Sequence, residues 1–171
     1  MSMNQNDFVK LITPFKDKLF RLAKRLLVST EEAEDATQEV ILKLWNNKEN
    51  LDSYKSIEAY SMTMTKNYCL DQLKAKRSGN LKLVHDNYIG REPGLEKQLE
   101  AKDSLEWVEK AINELPEQQK LIIQMRDIEE YEFEEIAKII NMNETAIRVA
   151  LFRARKTIRA FILKTNDHGI K

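Results

Sequence analysis

The sequence predicts an all-α protein of two small helical domains joined by a flexible linker, the C-terminal one a helix-turn-helix. Three observations predict it. Only four Gly and three Pro in 171 residues leave little material for turns, so long helices with short connections are expected. Apolar residues recur at three- and four-residue spacing along most of the chain. In the last third, Tyr131 to Ala137, then Asn141-Met142-Asn143-Glu144, then Thr145 to Arg159 spell a helix, a tight turn and a second helix with a cationic exposed face.

The first helix is expected from about Asp7 to Leu27, on the stripe Phe8, Leu11, Ile12, Phe15, Leu19, Leu22 and Leu26, with Pro14 starting or kinking the regular part. Ser29 with Glu32 forms a capping-box signature, and Ala33, Ala36, Val40, Ile41, Leu44 and Trp45 supply the stripe of a second helix. Asn46 to Ser56 is polar and turn-rich. A third helix runs to Arg77 and ends in the cations Lys74, Lys76 and Arg77, which suit the negative end of its dipole. Gly79 to Pro93 lacks periodicity, which sets the expected boundaries: a first domain over 1–79, a linker over 80–100 and a second domain over 101–171. Leu95, Leu99, Leu105, Val108, Ile112 and Leu115 predict a helix stopping at Pro116, and Leu121, Ile122, Met125 and Ile128 continue on another.

Composition excludes several classes. The chain is 42% apolar and 33% charged, ordinary for a core-forming protein, and no stretch reaches the roughly 20 apolar residues of a membrane span. The first residues lack a signal-peptide pattern, so a cytoplasmic location without membrane insertion is expected. A single cysteine, Cys69, allows no internal disulfide, and with only His85 and His168 no metal site is expected. No paired carboxylates, activated nucleophile or phosphate loop appears, so neither catalysis nor a cofactor is expected. The zero net charge hides a segregation. Residues 1–78 hold 13 basic and 11 acidic side chains, residues 79–135 hold 7 and 15, and residues 136–171 hold 8 and 2. Both ends suit an anionic partner; the acidic centre repels DNA or attracts a basic protein.

On the last helix, Ile147, Ala150, Leu151 and Ala154 are expected to face the core, leaving Thr145, Arg148, Val149, Phe152, Arg153, Arg155 and Lys156 outward. Arg can bridge guanine O6 and N7 or hold a phosphate, and Val or Phe can touch a thymine methyl. Asn141 tolerates the left-handed backbone of a tight turn, and Asn143 can cap the second helix of the pair. The Lys74 to Arg77 cluster serves either DNA or the helix dipole, and Tyr54, Tyr60 and Tyr68 either stack on unpaired bases or pack in the core. Asp35, Gln38 and Glu39 read alone as a wet face.

Together these motifs resemble the bacterial RNA polymerase sigma factors of the extracytoplasmic-function group. The resemblance implies that Ala33 to Trp45 grips core polymerase, with Asp35, Gln38 and Glu39 in the polar positions. It implies that Asn50 to Ser56 captures an extruded minus-10 base and that Ala59 to Arg77 recognises and melts the upstream bubble edge. Tyr54, Lys66, Asn67, Asp71, Lys74 and Arg77 are the minus-10 residues on that reading. Thr145 to Lys156 would read the minus-35 element. Val149-Ala150 stands where a Ser-Arg pair is common in the group, which implies a different minus-35 preference. The implied partners are core RNA polymerase, promoter DNA and an anti-sigma protein, often membrane-bound. A free-standing helix-turn-helix regulator, binding its operator without polymerase, is the alternative; an adaptor that binds only proteins is a third reading.

Overall fold

The computed structural model describes residues 2–79 and 103–169, and every element within them is helical. The linker expected over 80–100 lies outside the described residues. α1 spans Gln5–Leu27, its first turn closed by the Asn4 side chain accepting the Asp7 N–H at 2.9 Å. It runs through Pro14, so of the two expectations there the start is corrected: the helix begins at Gln5. A proline inside a helix costs roughly 3 kcal/mol. Burial of Phe8 and Ile12 before it and Phe15, Leu19 and Leu22 after it returns about 1.5–3 kcal/mol per side chain, which offsets that cost. The Thr13 hydroxyl donates back to Val9 O at 2.5 Å in the preceding turn.

α2 spans Thr30–Asn46 and packs Ala33, Ala36, Val40 and Leu44 against α1. Half of the expected capping box forms: Ser29 Oγ accepts the Glu32 N–H, but the Glu32 carboxylate pairs with Lys76. Ser29 N–H has another acceptor, Leu27 O at 2.8 Å, so it does not need the glutamate. The polar stretch after α2 folds as a 3₁₀ helix, Lys48–Ser53, pinned by the fully buried Leu51. α3, Ile57–Gly79, begins where Ser56 Oγ accepts the Ala59 N–H at 3.1 Å and closes the first bundle against α1 and α2.

α4 spans Asp103–Asn113 and stops ahead of Pro116 as expected, while the part of that helix expected at Leu95 and Leu99 lies outside the described residues; α5, Glu117–Ile123, comes next. α5 widens into a π-helical segment, Gln124–Ile128, which sequence periodicity does not disclose. α6, Phe133–Ile140, opens on a reciprocal capping box between Glu132 and Glu135. α7, Glu144–Gly169, is about ten residues longer than expected. Its extension packs back on α4, with the Phe161 ring 6.1 Å from Trp107, a partner too distant in sequence to read from periodicity. The two bundles meet where α1 lies against α5 and the π segment and α3 lies against α6. Among the described residues no buried side-chain nitrogen or oxygen lacks a hydrogen bond, and no helix is long and apolar enough to cross a membrane.

Candidate polymerase and promoter surfaces

On α2 the buried stripe fixes what remains outside. Asp35 and Gln38 are exposed and Glu39 is half-buried. Asp35 and Glu39 lie toward Tyr68 of α3, whose hydroxyl is held above its ordinary pKa by burial first and then by those two carboxylates. Gln38 borders an open groove between α1 and α2, about 1050 Å³, walled by Phe8, Ile12, Phe20, Ile41 and Trp45. Leu42, 52% exposed, and Val9 stand on its rim. Sequence reading missed this apolar strip; the signal was Leu42, one turn after Gln38 and outside the core stripe.

α3 divides its candidate residues between two directions. Asn67, Asp71 and Lys74, spaced four and three apart, are exposed along one side. Lys66 and Arg77 turn instead to the second bundle. Lys66 Nζ donates to Ile139 O at 3.0 Å, and burial pulls its pKa down. Arg77 pairs with Glu117 at 3.2 Å. Tyr54, at the end of the 3₁₀ helix, stacks on Tyr60 with ring centroids 3.9 Å apart and planes 15° apart. That stack and their half-buried state place both tyrosines against the core, with Tyr54 at its edge.

The helix-turn-helix is built as its sequence dictates. Asn141 sits at φ 55°, ψ 52°, the left-handed cap of α6, and Asn143 Oδ1 accepts the Ala146 N–H at 2.7 Å to start α7. Ile147, Leu151 and Ala154 are buried and Ala150 is half-buried. Thr145, Arg148, Val149, Phe152, Arg153 and Lys156 are all exposed, and their offsets of 3, 4, 7, 8 and 11 gather them on one helix face. Phe152 is 68% exposed at the middle of it. Arg148 lies 4.0 Å over the Phe133 ring, which also carries Arg126 at 4.4 Å, so the base of the face is pre-oriented by cation–π contact. Arg155 stands apart: both its Nε and Nη2 donate to the Asp127 carboxylate, at 3.1 and 2.5 Å, and this bond raises its pKa. Sequence reading placed it with the others because Asp127 is distant along the chain.

Cys69 is buried, and desolvation pushes its thiol up to about 12. Among the described residues no cluster of His, Cys, Asp or Glu has the makings of a metal site.

Comparison with known proteins matches this arrangement domain by domain. Residues 11–79 match Sigma-70 region 2 and residues 105–158 match Sigma-70, region 4. The ECF RNA polymerase sigma factor SigW of Bacillus subtilis is 24% identical over 168 residues, covering 91% of this chain and 89% of that protein. RNA polymerase sigma factor SigV of the same organism is 27% identical over 157 residues, covering 91% of each. Among solved structures, the sigma factor RpoE of Bartonella quintana, determined with the anti-sigma factor NepR, superposes with a TM-score of 0.69 at 21% identity, covering 92% of this chain and 97% of that one. CnrH, determined with the cytosolic domain of CnrY, gives 0.66 at 17% identity, covering 93% and 89%. Region 2 on the first bundle and region 4 on the second, in one chain of matching length, have one meaning: the protein belongs to the sigma-70 family of RNA polymerase sigma factors, in its extracytoplasmic-function group.

Proposed function

We propose that the chain works as a dissociable, non-enzymatic promoter-specificity subunit in the cytoplasm, with residues 1–79 holding core polymerase and the minus-10 element and residues 101–171 reading the minus-35 element. The observation that carries this reading is the α7 face, where three cations and two exposed apolar side chains share one side of a capped helix-turn-helix. A helix so placed fits the major groove, Arg148 and Arg153 meeting guanine or phosphate and Val149 and Phe152 meeting thymine methyls. Arg155, clamped by Asp127, keeps further N–H groups for a phosphate and acts as a positioning contact, not a base reader.

On the polymerase side, Asp35 and Glu39 supply anionic contacts and Gln38 a neutral hydrogen bond beside an apolar groove that a partner helix can fill. Charged rims of this kind set register and association rate while leaving the complex releasable. On α3, Asn67, Asp71 and Lys74 face the DNA, Tyr54 lies next to the loop that captures a base, and Lys66 and Arg77 complete the minus-10 surface when they leave their present partners. An anti-sigma protein that covers these surfaces is the regulator this reading expects, in keeping with the complexes in which both structural relatives were determined. The free-standing regulator is the weaker reading, because region 2 on the first bundle has no place in it.

The test separates the two surfaces. Reversing Asp35 and Glu39 to Lys is expected to weaken core polymerase binding at least about tenfold, on the scale of close interfacial charge pairs. Arg148→Ala or Arg153→Ala is expected to leave polymerase binding intact and to lower promoter affinity about tenfold each. The opposite pattern contradicts the assignment.

A further inference from the structure

Three elements of the second bundle converge on one ring. Phe133, the first residue of α6, is half-buried against the core. Arg126, from the π segment, holds its guanidinium carbon 4.4 Å from the centre of that ring, and Arg148, from α7, holds its own at 4.0 Å. The two cations are secured differently. Arg126 also donates to Tyr131 O at 2.9 Å and pairs with Glu132 at 3.6 Å, so it is anchored without the ring. Arg148 is exposed and, among the described residues, makes no side-chain hydrogen bond or ion pair; the Phe133 ring is what holds it.

The kind of hold decides what the arginine can still do. A cation over an aromatic ring is attracted by the ring's quadrupole, which uses none of the five N–H donors of a guanidinium. A carboxylate fixes an arginine by taking those donors and cancelling its charge, as Asp127 does to Nε and Nη2 of Arg155. Reading guanine requires a planar fork of two donors aimed at O6 and N7, so it gains from a side chain that is both fixed and unoccupied. A phosphate asks for less, since a mobile point charge serves it. Arg148 also stands near the start of α7, the part of a recognition helix that contacts base edges.

We infer that Phe133 is a specificity-determining positioning residue: its ring pre-orients Arg148 for bidentate contact with one guanine of the minus-35 element, and discrimination at that base depends on a ring that reads no base itself. The inference rests on α7 being the minus-35 helix, as proposed above. Pre-orientation spares rotamer freedom that a loose arginine loses on binding, so it strengthens the complex in which Arg148 meets its guanine and leaves the others unchanged. Phe133 carries no charge, so its replacement leaves the salt-dependent phosphate contribution in place.

The test uses the full-length chain. Phe133→Leu keeps apolar bulk without the ring, Phe133→Met is a second ring-free variant, and Phe133→Tyr restores the ring; circular dichroism verifies folding. In nuclear magnetic resonance spectra of the free parent chain, Arg148 side-chain protons are expected to be shifted upfield by the ring. The shift is expected to vanish in Phe133→Leu and to persist in Phe133→Tyr. Promoter-library selection with core polymerase then locates the minus-35 position whose preference Arg148→Ala abolishes. At that position Phe133→Leu is expected to lower the preference about threefold, with Phe133→Tyr near the parent and core polymerase binding unchanged. Added to Arg148→Ala, it is expected to change nothing further. Unshifted Arg148 protons in the parent chain overturn the inference without any variant. So does a ring-free variant that weakens all sequences equally, that acts as strongly without Arg148, or that Phe133→Tyr fails to rescue. Failure of the sigma reading looks different: no initiation depends on the chain, while the chain alone still selects duplex DNA with a preference that Phe133→Leu relaxes. A chain that selects no DNA sequence, with or without polymerase, overturns both.

Discussion

Val28 ends α1 at φ 68°, ψ −39°, with Ser29 N–H bonded to Leu27 O at 2.8 Å across it. This is the rare positive-φ form of the γ-turn, a conformation that β-branched residues adopt only under strain of about 1–3 kcal/mol. It is retained because it sets Ser29 to cap α2, so the α1–α2 crossing depends on it. Glycine adopts this backbone without a Cβ penalty. Val28→Gly is therefore expected to be more stable than Val28→Ala by about 1 kcal/mol in denaturant unfolding, reversing the usual order of these residues, in which glycine is about 0.5–1 kcal/mol worse. Equal stabilities, or alanine ahead, would remove the strain from the account. Cys69 gives a second residue-scale prediction. Its thiol titrates at about 12 in the native chain and near about 8.5 when unfolded. Above about pH 8.5 the unfolded chain holds fewer protons than the native one, so native stability falls as pH rises from about 9 toward 12. By about pH 10 the loss is on the order of 2 kcal/mol, read as the difference between the parent chain and Cys69→Ala.

At the scale of elements, two side chains of α7 make separate claims. The recognition face of α7 has Phe152 at its centre, so its truncation is expected to change which minus-35 bases are preferred, while Lys156→Ala weakens binding across sequences and flattens its salt dependence by about one unit of slope. Promoter-library selection with each variant distinguishes the two outcomes. A Phe152→Ala protein with unchanged base preference would remove that side chain from readout. The helix pair α6 and α7 also shows why some elements were legible and others were not. The helix-turn-helix depends on neighbours in sequence: Asn141 for the left-handed turn, Asn143 for the cap, and an apolar stripe repeated within a dozen residues. Local chemistry of that kind is written in the chain. The π segment at Gln124–Ile128 and the extension of α7 past Arg159 are not, because Arg25 and Trp107, which hold them, come from far along the chain. As a helix start, Pro14 misled for the same reason in reverse: a local signal was overridden by burial on both sides of it.

For the whole molecule, charge segregation identified two anion-facing ends, and the fold adds how they are joined. The acidic middle was expected to repel DNA or attract a basic protein. Within the described residues, Glu109, Glu117 and Glu129 find basic partners inside the chain, Arg25, Arg77 and Arg21 on the first domain. The candidate site was legible as residue types on helix faces. What was not legible is that Lys66 and Arg77 face the second domain while Asn67, Asp71 and Lys74 face outward, because that depends on how one bundle docks on the other.

The central claim is that this chain lends core polymerase its promoter specificity. Run-off transcription with bacterial core RNA polymerase, a promoter library and the purified chain tests it most directly. The account predicts initiation at a defined subset of promoters that requires the chain, is abolished when Asp35 and Glu39 are reversed, and is reduced at those promoters by Arg148→Ala. Specific DNA binding by the chain alone, with no initiation from any promoter in the presence of a polymerase it binds, would contradict it.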